Sequence, residues 1–280
     1  MKVVDNITNI RTVADGFRSE GRSIGLVPTM GALHEGHLSL IRLAHQHADE
    51  VIVTIYVNPE QFAPDEDFDE YPRTLETDLE KCKEYDVSAV FTPSDEIMYS
   101  SQQFLSINIE KLNEHMDGSS RPGFFEGILL VVNKFFNVIE PDIAVFGQKD
   151  IQQFCILERM VREFKHDIKL IRGPIKRAND GLALSSRNSY LSDEQRNRAP
   201  GLYRSLRYVK KQIEGGVNNV SLLLEHQKDE LEEKGFKIDY LNLFSFDEIV
   251  PVEQIQANEQ YILAGAVYLG ETRLIDNLII

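Results

Sequence analysis

Apolar positions along the chain switch repeatedly between two spacings. Residues 6–20 place Ile7, Ile10, Val13, Ala14 and Phe17 at helical spacing, with Gly21 as a stop, which predicts an N-terminal helix. The short apolar run Ser23 to Val27 predicts a strand, after which Leu38, Leu40, Ile41, Leu43 and Ala44 return to helical spacing. Glu50 to Val57 is a continuous β-branched run, the pattern of a strand covered on both faces. A helix over 74–85 and a strand over Val87 to Phe91 follow. The pattern weakens between 94 and 123, where Phe104 to Ile109 could form a strand. From about Phe124 to Ile139 a helix buries Ile128, Val131, Val132, Phe135 and Phe136. A strand at Asp142 to Phe146, a helix from about Ile151 to Phe164 and a strand at Ile168 to Arg172 complete the alternation before Gly173-Pro174 breaks it.

Beyond that break the order changes. Asn179-Asp180-Gly181 lies between two short runs and predicts a hairpin over 175–190. Ser192-Asp193-Glu194-Gln195 fits a capping box that starts a helix running to about Ile213, ended by Gly215-Gly216. A helix over Val220 to Glu233 and strands at Ile238 to Phe244, Gln260 to Tyr268 and Thr272 to Ile279 finish the chain. The fold class is therefore α/β: a Rossmann-like parallel sheet domain over 1–174 with a smaller C-terminal α+β lid domain over 175–280.

Charge narrows the partners. Thirty Lys and Arg against 45 Asp and Glu give a net charge of -15, whereas a nucleic-acid partner demands a basic face. The opening MKVVDNITNI lacks the apolar core of a signal peptide, and the run around Ile128 to Val132 is too short to span a bilayer. The expectation is a cytoplasmic protein with no membrane partner. Cys82 and Cys155 stand without C-x-x-C spacing, as incidental thiols in a reducing compartment. The acidic run Asp65 to Glu70 reads as a solvated, mobile loop.

The candidate chemistry begins at Pro28 to Ile41, PTMGALHEGHLSLI. This strand-loop-helix stretch holds His34 and His37, with Gly31 and Gly36 allowing close backbone approach. His37 falls near a helix N-terminus, where orphan N–H groups and the dipole favour an anion, so the site suits phosphate. Zinc is the alternative, but it needs three or four ligands and only His45 and His47 lie nearby. An ordinary polar loop is another. The H-x-G-H pattern suggests nucleotidyl-transferring Rossmann-like enzymes, a group that includes class I aminoacyl-tRNA synthetases, and does not choose among them. The net charge argues against a tRNA synthetase.

Other polar groups gather at strand ends. Asn58 and Gln61 follow the second strand, where an open parallel sheet binds small polar ligands; a Pro-initiated surface turn is the competing reading. Gly147-Gln148-Lys149-Asp150, with Gln152 and Gln153, forms a second junction expected at the same sheet edge. Ser185-Ser186-Arg187-Asn188 offers two hydroxyls, a bidentate donor and close backbone N–H groups as an anion clamp, or else as a loop cap. Arg121, just before a helix start, could clamp a phosphate or carboxylate, although a surface arginine is commoner there.

Taken together, PTMGALHEGH, NPEQF, YPRT, RPGFFEG, FGQKDIQQ and LSSRN, in this order across roughly residues 24 to 190, resemble the pantothenate synthetase family, AMP-forming pantoate:beta-alanine ligases. The resemblance implies two steps in one site: pantoate is adenylated by ATP with loss of pyrophosphate, then beta-alanine displaces AMP to give pantothenate. By this resemblance His34, His37, Lys149, Ser185, Ser186 and Arg187 are catalytic and handle the ATP phosphates. Met30, Gly147, Asp150 and Leu184 complete the ATP site, with Gly147 and Asp150 at the ribose and Leu184 at the adenine end. Asn58, Gln61, Phe146 and Gln153 would bind pantoate. Magnesium would sit on the phosphates, and the protein would form a homodimer. Ala63, Gln148 and Leu184 depart from residues frequent in the family, Gly, Glu and Met respectively. A simple nucleotidylyltransferase and a nucleotide sensor without turnover are the rival readings.

Overall fold

The structure, a computed structural model, describes residues 1–63, 68–99 and 102–280. In chain order its first elements are β1 (Lys2–Val4), α1 (Ile7–Ser19), β2 (Ile24–Thr29), α2 (Glu35–His45), β3 (Glu50–Ile55), α3 (Leu75–Glu84), β4 (Ala89–Phe91) and α4 (Asp95–Met98). Then come α5 (Met116–Ser120), α6 (Phe124–Ile139), β5 (Ile143–Gly147), α7 (Ile151–Phe164) and β6 (Lys169–Gly173). The chain ends with α8 (Asp193–Arg198), α9 (Gly201–Glu214), α10 (Ser221–Glu233), β7 (Lys237–Ser245), β8 (Tyr261–Leu269) and β9 (Thr272–Ile279). Two compact units result. One comprises 1–110, 121–147 and 156–174, the other 111–120, 148–155 and 175–280.

The first unit is built on a six-stranded sheet in the order β1-β4-β3-β2-β5-β6, parallel throughout. From β2 the chain adds strands outward on one side through β3 and β4, and from β5 outward on the other through β6. The order therefore reverses between β2 and β5, and a parallel sheet offers its ligand crevice at the carboxyl ends of such a pair. β3 is buried along nearly its whole length, which explains its unbroken β-branched run. Val27, Ile41, Val51, Val53, Val90 and Val145 pack into one core, each fully buried apolar side chain contributing roughly 1.5–3 kcal/mol. α1 starts where the Asn6 side chain accepts the Asn9 N–H at 2.9 Å.

The second unit carries the antiparallel sheet β7-β8-β9, with Leu202, Leu206, Val209, Leu231, Leu241, Leu263 and Val267 in its core. The expected hairpin over 175–190 is a single bridge, Arg177 to Ala183, closed over Gly181 at φ +99°.

Two expectations are corrected. The helix drawn from Ser192 to Ile213 is two helices: its capping box is present, but Pro200 has no N–H for the ladder, so α8 stops and α9 restarts. The segment 104–109 has no regular structure, and among the described residues no strand pairs with it. Phe104 and Leu105 are adjacent and 82% and 87% exposed, so the run has no single apolar face to bury. The strand β1 was not foreseen, because three residues are too few to reveal a period. Of the acidic run 65–70, residues 65–67 lie outside the described residues and 68–70 form a turn. Among the described residues no helix is long and apolar enough to cross a membrane.

Candidate active site

The β2–α2 loop is shaped by one buried carboxylate. Asp78, on α3, accepts the backbone N–H groups of Ala32 at 2.9 Å and Leu33 at 2.8 Å, and the Thr74 hydroxyl at 3.1 Å. Gly31 turns at φ +86°, and a Cβ there would meet Asp78 Oδ2 at 3.1 Å and Ile55 at 3.2 Å, so only glycine fits without displacement. Lys81 Nζ donates to Leu33 O at 2.6 Å and ties down the next residue.

So held, the loop delivers His34 as the N-cap of α2. His34 Nδ1 accepts the Gly36 N–H at 3.0 Å, and His37 Nδ1 accepts the His34 N–H at 3.3 Å. The two rings lie 4.2 Å apart between centroids, tilted by 37°. A Cβ on Gly36 would stand 2.7 Å from the His34 ring, which explains the glycine inside H-x-G-H. Each Nδ1 is an acceptor, so in the neutral rings this hydrogen-bond network assigns the proton to Nε2. Two imidazole N–H donors at a helix N-terminus suit the oxygens of a phosphate chain.

A second network forms after β3. Asn58, 1% exposed, caps the 3₁₀ turn Pro59–Gln61. Its Nδ2 donates to Gln61 Oε1 and Gly127 O, both at 3.2 Å, while its Oδ1 accepts the Glu60 N–H and the Tyr99 hydroxyl. Burial pushes the Tyr99 hydroxyl well above its ordinary range, so it stays protonated and donates. These bonds occupy the Asn58 amide inside the protein. Asn58 therefore orients Gln61, whose Nε2 points toward Met30 Sδ. Helix α6 backs this turn closely: a Cβ on Gly127 would fall 2.0 Å from Glu60 O. Arg121 reaches Gln61 O at 3.5 Å and lies 3.4 Å over the Phe124 ring.

Met30, His34, His37, Asn58, Gln61, Phe146 and Gly147 thus belong to the first unit, at the carboxyl-end loops and ends of β2, β3 and β5. Lys149, Asp150, Gln153, Leu184, Ser185, Ser186 and Arg187 belong to the second. There, Lys149 and Asp150 sit on the 3₁₀ turn Gln148–Asp150, with Lys149 Nζ 3.3 Å from Asp150 Oδ1. Gln152 does not face a crevice. It is 1% exposed, donates to Leu112 O and His115 O at 2.8 Å each and accepts the Gly118 N–H, clamping 112–118. Ser185 caps a 3₁₀ turn over Ser186–Tyr190, its Oγ accepting the Arg187 N–H at 3.3 Å.

Asp78 and Tyr99 were not foreseen from the sequence. Each acts on a residue more than 40 positions away, and no local pattern marks that pairing. Burial pushes the Cys82 thiol up to about 12, leaving it inert at neutral pH. Among the described residues no three His, Cys, Asp or Glu form a metal-holding group.

Comparison with known proteins agrees across the whole chain. The family model for pantoate-beta-alanine ligase matches residues 2–279. The pantothenate synthetase of Thermosipho africanus is 45% identical over 280 residues, covering all of both chains. That of Stutzerimonas stutzeri is 43% identical over 282 residues, covering all of this chain and 98% of the relative. Among solved structures, pantothenate synthetase from Thermus thermophilus superposes with a TM-score of 0.91 at 36% identity, covering 99% of each chain. Pantoate-beta-alanine ligase from Francisella tularensis, complexed with beta-gamma ATP and beta-alanine, gives 0.83 at 33% identity over all of this chain and 97% of that one.

Proposed function

Because the chain belongs to the pantoate-beta-alanine ligase family, we propose that its strand-end loops and the Ser185–Arg187 turn serve an ATP-dependent ligation of pantoate to beta-alanine. In the first step the pantoate carboxylate attacks the α-phosphorus of ATP and expels pyrophosphate, giving pantoyl adenylate. In the second the beta-alanine amine attacks the acyl carbon, loses a proton and releases AMP, giving pantothenate.

The observation that carries this reading is the His34–His37 pair, whose Nδ1 atoms are occupied by backbone donors. The first step brings an anion to a polyanion, so its barrier is one of charge, and fixed donors that strengthen as charge moves onto pyrophosphate lower it. His34 and His37 serve this role with Lys149, Ser185, Ser186 and Arg187. Met30 lines the nucleotide, Gly147 and Asp150 hold the ribose and Leu184 packs at the adenine. Gln61 and Gln153 bind pantoate beside Phe146, and Asn58 keeps the Gln61 amide in register. The net charge of -15 does not oppose this, since salt screens exposed charges beyond about 8–10 Å while these groups act in contact.

Donors that are cationic or N–H and O–H groups fit a metal-loaded polyphosphate. Magnesium on the ATP phosphates, bound with few protein ligands as that ion usually is, would supply charge neutralisation. A cytoplasmic location is part of the proposal.

With ATP, magnesium and pantoate but no amine, the protein should form pantoyl adenylate and pyrophosphate in amounts comparable to enzyme. ADP and phosphate would refute adenylation; a retained nucleotidyl product, or no turnover, would favour the two rivals. In the same assay Gln61→Ala should weaken pantoate binding by roughly 1–3 kcal/mol, the cost of unpaired polar groups, and leave ATP binding nearly unchanged. Equal losses for both substrates would remove Gln61 from the pantoate site. A homodimer is part of the proposal, so light scattering should give twice the 32.0 kDa chain mass, and a single-chain mass at micromolar concentration would contradict it.

A further inference from the structure

We propose that Asn277, on the last strand of the chain, is a positioning residue for Lys149 in adenylation. The inference rests on the reading of Lys149 as a phosphate-binding group. Asn277 is 1% exposed and sits on β9 opposite Ala264 of β8. Its Nδ2 donates to Gln148 O and Lys149 O, both at 2.9 Å, so one side-chain amide holds two consecutive carbonyls of the turn that carries the lysine. Gln148 Nε2 returns a hydrogen bond to Asn277 Oδ1 at 3.2 Å. A glutamate at 148 could not donate that bond, whereas the glutamine does.

The turn needs such support. A 3₁₀ turn of three residues has poor internal hydrogen-bond geometry, and this one is continuous with α7 only at its carboxyl end. Asn277 is itself braced, its own N–H donating to Asp276 Oδ1 at 2.7 Å, and Asp276 is gripped by Arg177. A flexible lysine stem gains most from a fixed base, because misplacing a catalytic group by about 1 Å costs on the order of 10²-fold in rate.

The test times the two half-reactions separately in single turnovers for the full-length enzyme, Asn277→Leu, Lys149→Ala and the double variant. Asn277→Leu, similar in size but without donors, should slow adenylation roughly 10- to 100-fold. Reaction of preformed pantoyl adenylate with beta-alanine should stay within about twofold, because pyrophosphate has gone and Lys149 with it has finished its work. On the Lys149→Ala background the Asn277 change should add nothing, since it acts only through that lysine. Wild-type adenylation in Asn277→Leu, equal slowing of both halves, or a full independent effect on the Lys149→Ala background would each overturn the proposal. Unimpaired adenylation in Lys149→Ala would instead overturn the assignment of Lys149. Should the leucine variant not fold, Asn277→Ser, which keeps one donor, is read the same way with a smaller expected loss.

Discussion

Arg187→Ala is expected to slow formation of pantoyl adenylate by roughly 10²–10³-fold, the scale of losing one well-placed donor to developing charge. The turn that carries Arg187 is pre-formed: Ser185 caps it and Asn188 Nδ2 anchors it to Ala183 O at 3.0 Å. A guanidinium on a fixed turn can grip two oxygens of a leaving pyrophosphate at once. Once pyrophosphate has departed, that grip has no role, so attack of beta-alanine on preformed pantoyl adenylate should proceed at nearly the normal rate. Both halves can be timed by rapid quench. If the two slowed equally, or neither did, the Ser185–Arg187 turn would not be a pyrophosphate clamp.

The largest stability effect is expected at Arg177, whose Nη1 and Nη2 reach Asp276 Oδ2 and Oδ1 at 2.5 and 2.8 Å. Arg177 and Asp276 are only 16% and 4% exposed, and the guanidinium also lies 3.7 Å over the Tyr203 ring. Arg177→Met keeps most of the stem packing but leaves a buried carboxylate without its cation, a loss of roughly 3–5 kcal/mol. The sign with pH follows from Asp276. Burial holds its carboxyl above the usual carboxylate value even against the pull of Arg177. A carboxyl raised in the folded state takes up a proton more readily folded than unfolded. Its contribution to stability is therefore full below the unfolded value and declines as pH rises through the folded one. Removing Arg177 raises the carboxyl further, so the penalty should be greatest near pH 7.5 and smaller near pH 5. Urea unfolding followed by circular dichroism measures both; a penalty that was equal at the two pH values, or larger at the lower, would contradict the account.

What could be read in advance depended on how far apart the cooperating residues lie. Helices α6 and α7 match their expected bounds because long periodic segments carry many consistent positions. The H-x-G-H loop was found as a loop between strand and helix, since Gly31, Gly36 and the flanking apolar runs are all local signals. The helix break at Pro200 was equally local, but the apolar period on either side outweighed it. By contrast, Asp78 shapes the histidine loop from 45 and 46 residues away, and Asn277 reaches the lysine turn across 128. Such pairings arise only when tertiary structure closes, and a carboxylate on an exposed-looking helix gives no warning of them.

The second unit is assembled from three separate stretches of chain, and this sets an order on biosynthesis. Asp117, 7% exposed, ends against Arg273 at 2.6 Å, and Arg273 also binds Asp239. A ribosome releases residues 111–120 and 148–155, which Gln152 ties together, long before it makes Arg273 and Asn277, so both stretches must wait for these C-terminal neighbours until translation is nearly over. A gene cut at Gly173-Pro174 would not yield two self-sufficient halves, because the C-terminal product would lack residues 111–120 and 148–155 of the second unit.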